Sequence, residues 1–132
     1  MERQEDNDLF YTCSLIEYIA RITKNKKSVI VSKLGRENID KVAFDFIEEC
    51  GIEKGNYCIQ IDVGNSIPSY YDIGKVYKRL IIMIDNRPEY YVDNLIKVLS
   101  SWIILEIDNY NSSMYYENPS YIYACYQEGK IL

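Results

Sequence analysis

Residue types able to do chemistry are unevenly supplied in this chain of 132 residues. It has no histidine, which removes Ser-His-Asp and Cys-His nucleophiles and histidine general bases together. The four cysteines, Cys13, Cys50, Cys58 and Cys125, form no C-x-x-C pair, so a zinc site would need all four from distant elements. Cys13, Cys50 and Cys125 instead fall on apolar helical faces, where a free thiol behaves as a small hydrophobe. The carboxylates Asp85, Asp93, Glu106 and Asp108 flank one long apolar stretch. Nothing in their spacing pairs them, and they read as surface charge, although Asp85 and Asp108 could share one side of a helical pair. Gly35, Gly51 and Gly129 follow helical patterns as C-caps, and no glycine-rich phosphate loop is present. No catalytic residue, metal or cofactor is assigned, and an enzyme would need a deep pocket lined by Asp85, Asp108 and tyrosines.

Tyrosine is the unusual component, with 14 in the chain. They cluster at Tyr70-Tyr71, at Tyr90-Tyr91, and at Tyr115-Tyr116 with Tyr121 and Tyr123. Tyrosine offers large contact area at low entropic cost and is enriched at recognition surfaces. Tyr70, Tyr71, Tyr115, Tyr116 and Tyr121 are therefore the candidate partner-binding residues, set against the plainer reading that their rings only cover helix ends.

The net charge of −5 and pI near 4.8 disfavour general nucleic-acid binding. The charge is polarised, however. Residues 20–41 carry Arg21, Lys24, Lys26, Lys27, Lys33, Arg36 and Lys41 against Glu37 and Asp40, whereas Lys54 is the one cation in 42–72. A helix, a basic turn and a second helix leave DNA binding through Arg21, Lys24, Lys26, Lys27 and Lys33 as the alternative function, although a solvated basic face has the same signature.

The elements that must position these residues read as helices. Apolar residues at 92, 95, 96, 99, 102, 103, 107 and 110 predict a central helix over about 88–110, opened by Pro88. The expected fold is all-α, with five to six helices around that central one. Asp6, Asn7 and Asp8 offer N-caps for a first helix ending near Lys24-Asn25. Ser28 to Gly35 suit a short second helix, with the β-branched run Val29–Val31 leaving a strand open. Ile39, Val42, Ala43, Phe46, Ile47 and Cys50 predict a third. Alternation at 57–63 predicts one short extended segment within a connector, 52–68. Ser69 with Asp72 resembles a capping box for a helix after it. Asn118-Pro119 opens the last helix. The expected organisation is a single helical domain over 1–132, with a three-helix part at about 6–51 and another at 69–132. No charge-free run approaches a membrane span and the charged N-terminus is not a signal peptide, so a cytosolic chain is expected. The unpartnered 57–63 segment leaves room for a homodimer in which two copies pair.

Two stretches carry a resemblance. LFYTCSLIEYIARITKNKKS (Leu9 to Ser28) with VAFDFIEECGI (Val42 to Ile52), and IPSYYDIGKVYKRLI (Ile67 to Ile81) with SSMYYENPSYIYACYQEGKIL (Ser112 to Leu132), resemble the two ends of short uncharacterised Firmicutes proteins related to a domain of unknown function. In those proteins a longer helical insert separates the equivalents of Leu34-Gly35 and Asn38-Ile39; here the chain runs through as LGRENID. Their genes neighbour ADP-ribosyltransferase-like toxins in mobile regions, so the resemblance implies an antitoxin-like or phage accessory role and carries no site residues. The expectation is a small non-enzymatic cytosolic protein that binds another protein.

Overall fold

The computed structural model describes residues 3–39, 52–59, 61–62 and 66–132. Among them the regular structure is helical, with no strand: α1 (Gln4–Thr23), α2 (Lys27–Ile39), α3 (Tyr70–Ile84), α4 (Tyr91–Leu99), α5 (Ile103–Ile107) and α6 (Pro119–Glu128), with 3-10 turns at Pro88–Tyr90 and Met114–Tyr116. The all-α expectation holds. The predicted third helix, from Val42 to Cys50, lies outside the described residues.

Helix ends follow local chemistry. The Ser69 hydroxyl accepts the Asp72 N–H at 3.0 Å, and the Asn118 side chain accepts the Ser120 N–H at 2.8 Å, with Pro119 in the first turn. Each satisfies one of the donors that a helix N-terminus leaves without a partner. Gly129, at φ 73°, closes α6. Helix α1 starts earlier than its acidic N-cap candidates, at Gln4. Asp6 instead accepts the Tyr91 hydroxyl at 2.6 Å, tying the start of α1 to α4. Val29 to Val31 are helical, and Gly35, at φ 70° and ψ 166°, interrupts α2.

The long central helix is not continuous. Helix α4 stops at Leu99, and Ser100 and Ser101 make a turn before α5 begins. The Ser101 hydroxyl donates to the Val98 carbonyl at 2.6 Å, and the Ser101 N–H bonds that same carbonyl, three residues back, at 3.0 Å. Serine side chains compete for helix backbone groups in this way. The break lets Val98, Ile103, Ile104 and Ile107 all reach the core, while Leu105 stays exposed.

The most extensive packing is between α1 and α3, which run antiparallel, with Arg3 bonding Asn86 at one end and Tyr18 meeting Tyr70 at the other. Cys13, Ile16, Ile19, Ile73, Tyr77, Leu80 and Ile81 are buried there. At the crossing a Cβ on Gly74 would lie 2.2 Å from the Ser14 Oγ and 2.8 Å from the Ser14 Cα. The helices approach so closely only because position 74 has no side chain. The Ser14 hydroxyl is buried and has no hydrogen-bond partner. Gly74→Ala should therefore destabilise the protein by about 2–4 kcal/mol in urea titration, through overpacking against backbone that cannot yield. Ser14→Ala should be neutral or mildly stabilising, since it removes an unsatisfied hydroxyl.

Candidate functional site

Charge is buried where α1, α2 and the residue following α5 meet. Glu17, Lys27 and Asp108 are each no more than 1% exposed. The Lys27 ammonium lies 3.0 Å from one Glu17 oxygen and also bonds Asp108 directly. The other Glu17 oxygen accepts from the Arg21 guanidinium at 2.8 Å. Three phenols complete the arrangement. Tyr77 donates to Glu17 at 3.1 Å, Tyr57 donates to Asp108 at 2.9 Å, and Tyr110 accepts from Arg21 at 3.1 Å. Two carboxylates thus face two cations, and each buried charge has a partner, as burial requires.

The electrostatics follow from this geometry. Burial raises the pKa of Asp108 above its ordinary value, against the opposing pull of Lys27. Burial, reinforced by Glu17, pushes the Tyr77 phenol far above its usual range, and Tyr110 likewise. Burial alone would lower the pKa of Arg21, but the Glu17 carboxylate beside it leaves it raised. Tyrosinate chemistry is thereby suppressed.

Two surfaces grow from this cluster. Tyr110, 5% exposed, stacks edge-on against Tyr115 at 5.3 Å, and Tyr115 stacks edge-on against Tyr116 at 4.9 Å. Tyr116 is 67% exposed. Tyr115 and Tyr116 line a groove of about 320 Å³ with Lys75, Val76, Arg79 and Leu80 of α3 and Ile122 of α6. The second surface is a cleft of about 270 Å³ at the α1–α2 turn, lined by Arg21, Lys24, Lys27, Tyr57, Ile59 and Ile67 among others. Its outer wall, the connector, is stitched to the turn by backbone. Gly55 N–H bonds Thr23 O at 2.7 Å, Tyr57 N–H bonds Lys24 O at 2.9 Å, and the Asn25 side chain bonds Glu53 O at 2.8 Å. A Cβ at Gly55 would lie 2.6 Å from the Lys24 carbonyl, so glycine is required there. A larger hollow of about 580 Å³ between α1 and α4 is lined by Asp8, Tyr11, Arg36, Glu89 and Val92 among others.

The expected site residues separate. Tyr115 and Tyr116 share the groove, whereas Tyr70 and Tyr71 stack at 4.4 Å on the α1 side with Tyr18 and Phe10. The Tyr121 hydroxyl donates to the Leu132 carbonyl at 2.5 Å. Of the basic set, Lys27 is corrected outright. It is buried between two carboxylates and presents no charge to a phosphate. Arg21 is committed to Glu17 and Tyr110, which leaves Lys24, Lys26 and Lys33 exposed. Lys26 lies over the Tyr57 ring at 5.8 Å. Asp108 is likewise no surface charge. Asp85, which it could have joined, instead pairs with Arg87 at 2.6 Å, and that hydrogen-bonded guanidinium lowers its pKa to about 2. Cys13 and Cys125 are buried as expected, Cys58 is exposed, and the described residues hold no cluster able to bind a metal. No helix among them is long and apolar enough to cross a membrane.

Compared with protein families, with curated proteins and with solved structures, the chain matches none.

Removing Lys27 leaves two buried carboxylates facing Arg21 alone, so Lys27→Met should cost about 3–5 kcal/mol by urea titration. The loss should also depend on pH. A carboxyl whose folded pKa is raised, as that of Asp108 is, favours the folded state below its unfolded pKa and loses that contribution as pH rises through the folded one. Without Lys27 the pKa of Asp108 rises further, so the deficit of the variant should be larger at about pH 8 than at about pH 5.

Proposed function

We propose that this chain is a non-enzymatic interaction protein that receives a short segment of another protein in the groove between α3 and α6. The observation that carries this reading is the aromatic ladder Tyr110–Tyr115–Tyr116. Its first ring is buried and hydrogen-bonded by Arg21, and its last is two-thirds exposed. An exposed ring fixed from below has little entropy left to lose on binding, which is what a recognition anchor needs. Val76, Leu80 and Ile122 give the groove an apolar floor. Lys75 and Arg79, one turn apart on α3, add exposed cations to one wall. Asp72 and Glu117 line the same groove and balance that pair, so the fitting partner is a segment that inserts one apolar side chain between charges of both signs. An antitoxin-like or phage accessory role, which the sequence resemblance implies, would place the partner in the same mobile region.

Affinity capture from the host lysate, run with and without nuclease on wild type and groove variants in parallel, tests this. A stoichiometric, nuclease-resistant protein should be recovered by wild type. Tyr116→Ala and Arg79→Glu should each weaken its binding about 5- to 150-fold with the melting temperature nearly unchanged, and Tyr71→Ala should retain it. Equal recovery by every variant would dismiss the groove. Nucleic acid in its place, lost at high salt, would turn attention to Lys24, Lys26 and Lys33.

A further inference from the structure

The cleft at the α1–α2 turn is independent of the groove, and we infer that it is a binding site for a small amphipathic monocarboxylate. The charge inventory sets the class of ligand. Among the described residues no carboxylate lines the cleft, while Arg21, Lys24 and Lys27 do. Arg21 and Lys27 are already matched, charge for charge, by Glu17 and Asp108 behind them. Lys24 is not, and among the described residues it has no ion-pair partner. Among the lining residues Lys24 therefore carries the one positive charge not already matched, which suits a monoanion and leaves a phosphate dianion half-compensated.

The walls set the rest. Ala20, Ile59 and Ile67 supply apolar surface, and the Tyr57 ring, held by its bond to Asp108, adds a rigid face. At about 270 Å³ the space falls just under the range of about 300–1,000 Å³ typical of drug-sized ligands. A short alkyl or aryl carboxylate is the matching size, with its tail on the isoleucines and its head at Lys24.

The backbone supplies a second, independent observation. Lys24 sits at φ 55°, ψ 47°, the one described residue other than glycine with positive φ. This is the position after a helix where glycine is the unstrained choice. A lysine there bears a backbone cost, and backbone bonds hold it in place: its N–H caps the Ala20 and Arg21 carbonyls and its carbonyl accepts the Tyr57 N–H at 2.9 Å. The base of the Lys24 side chain is thereby fixed at the cleft.

That strain makes Lys24→Gly a clean test, because the substitution should leave the protein as stable or raise its melting temperature by a few degrees while removing the free charge. Hexanoate is titrated into the full chain at low salt and followed by backbone amide chemical shifts, with hexanol and inorganic phosphate as controls. Saturable shifts confined to the α1–α2 turn and residues 57–59 are expected. Hexanol and phosphate should each bind at least about 5-fold more weakly. Lys24→Gly should weaken hexanoate by a similar factor, and Lys24→Arg should preserve it. Absence of saturable shifts in the wild type would overturn the site. Equal binding of hexanol would overturn the role of the charge, equal binding of phosphate would overturn the amphipathic class, and undiminished binding by Lys24→Gly would overturn the role of Lys24.

Discussion

The Lys27 ammonium, shut between Glu17 and Asp108, is the interaction on which the rest of this fold depends. An ammonium taken out of water costs several kcal/mol, and so does each carboxylate. Together the three, with Arg21, are neutral and hydrogen-bonded. None of their helices can shift without leaving a charge uncompensated. Glu17 comes from α1, Lys27 from the start of α2, and Asp108 from the residue that closes α5. Tyr77 adds α3 and Tyr57 adds the connector. The cluster therefore selects one arrangement among the many that greasy helices permit. Its net contribution is smaller than the cost of breaking it, since apolar residues of the same shape could hold a core at least as firmly, whereas removing one partner strands a buried charge.

Both surfaces described above are rooted in that cluster. Through Arg21 and Tyr110 it steadies the ladder that ends in Tyr116, and through Tyr57 and Lys27 it forms the inner side of the cleft. Tying an exposed tyrosine to a buried ionic centre gives a rigid surface. The centre is fully satisfied, and its phenols are held far from ionisation.

Much of the architecture was legible where short-range chemistry decides. The Ser69–Asp72 cap, Asn118-Pro119, Gly129 and the apolar face of α1 are all present as read from residue type and spacing. The 88–110 stripe misled because periodicity records which residues become buried, not whether the backbone between them is continuous, and Ser100-Ser101 broke it. The connector was opaque because backbone bonds hold it together with side chains far away in sequence, Asn25, Asp108 and Asn111, and neither leaves a local pattern. The buried cluster was missed because isolated charges read as solvated. Part of its trace was nonetheless present. Glu17 lies four residues after Cys13 and so stands on the apolar stripe of its helix, whereas Lys27 precedes the helix expected from Ser28 and Asp108 falls off the 92–110 stripe. A charge on an apolar stripe, as at Glu17, signals a buried partner elsewhere in the chain.

The most direct test is a double-mutant cycle on stability between Lys27→Met and Asp108→Leu, measured by urea denaturation at neutral pH. If the two side chains form the buried pair that organises the fold, the double variant should be less destabilised than the sum of the singles by about 2 kcal/mol or more. The charge that each single variant strands is absent when both are replaced. Additivity within about 0.5 kcal/mol would contradict the account, because the charges would then be acting independently and the cluster could not be what holds α1, α2 and α5 in register.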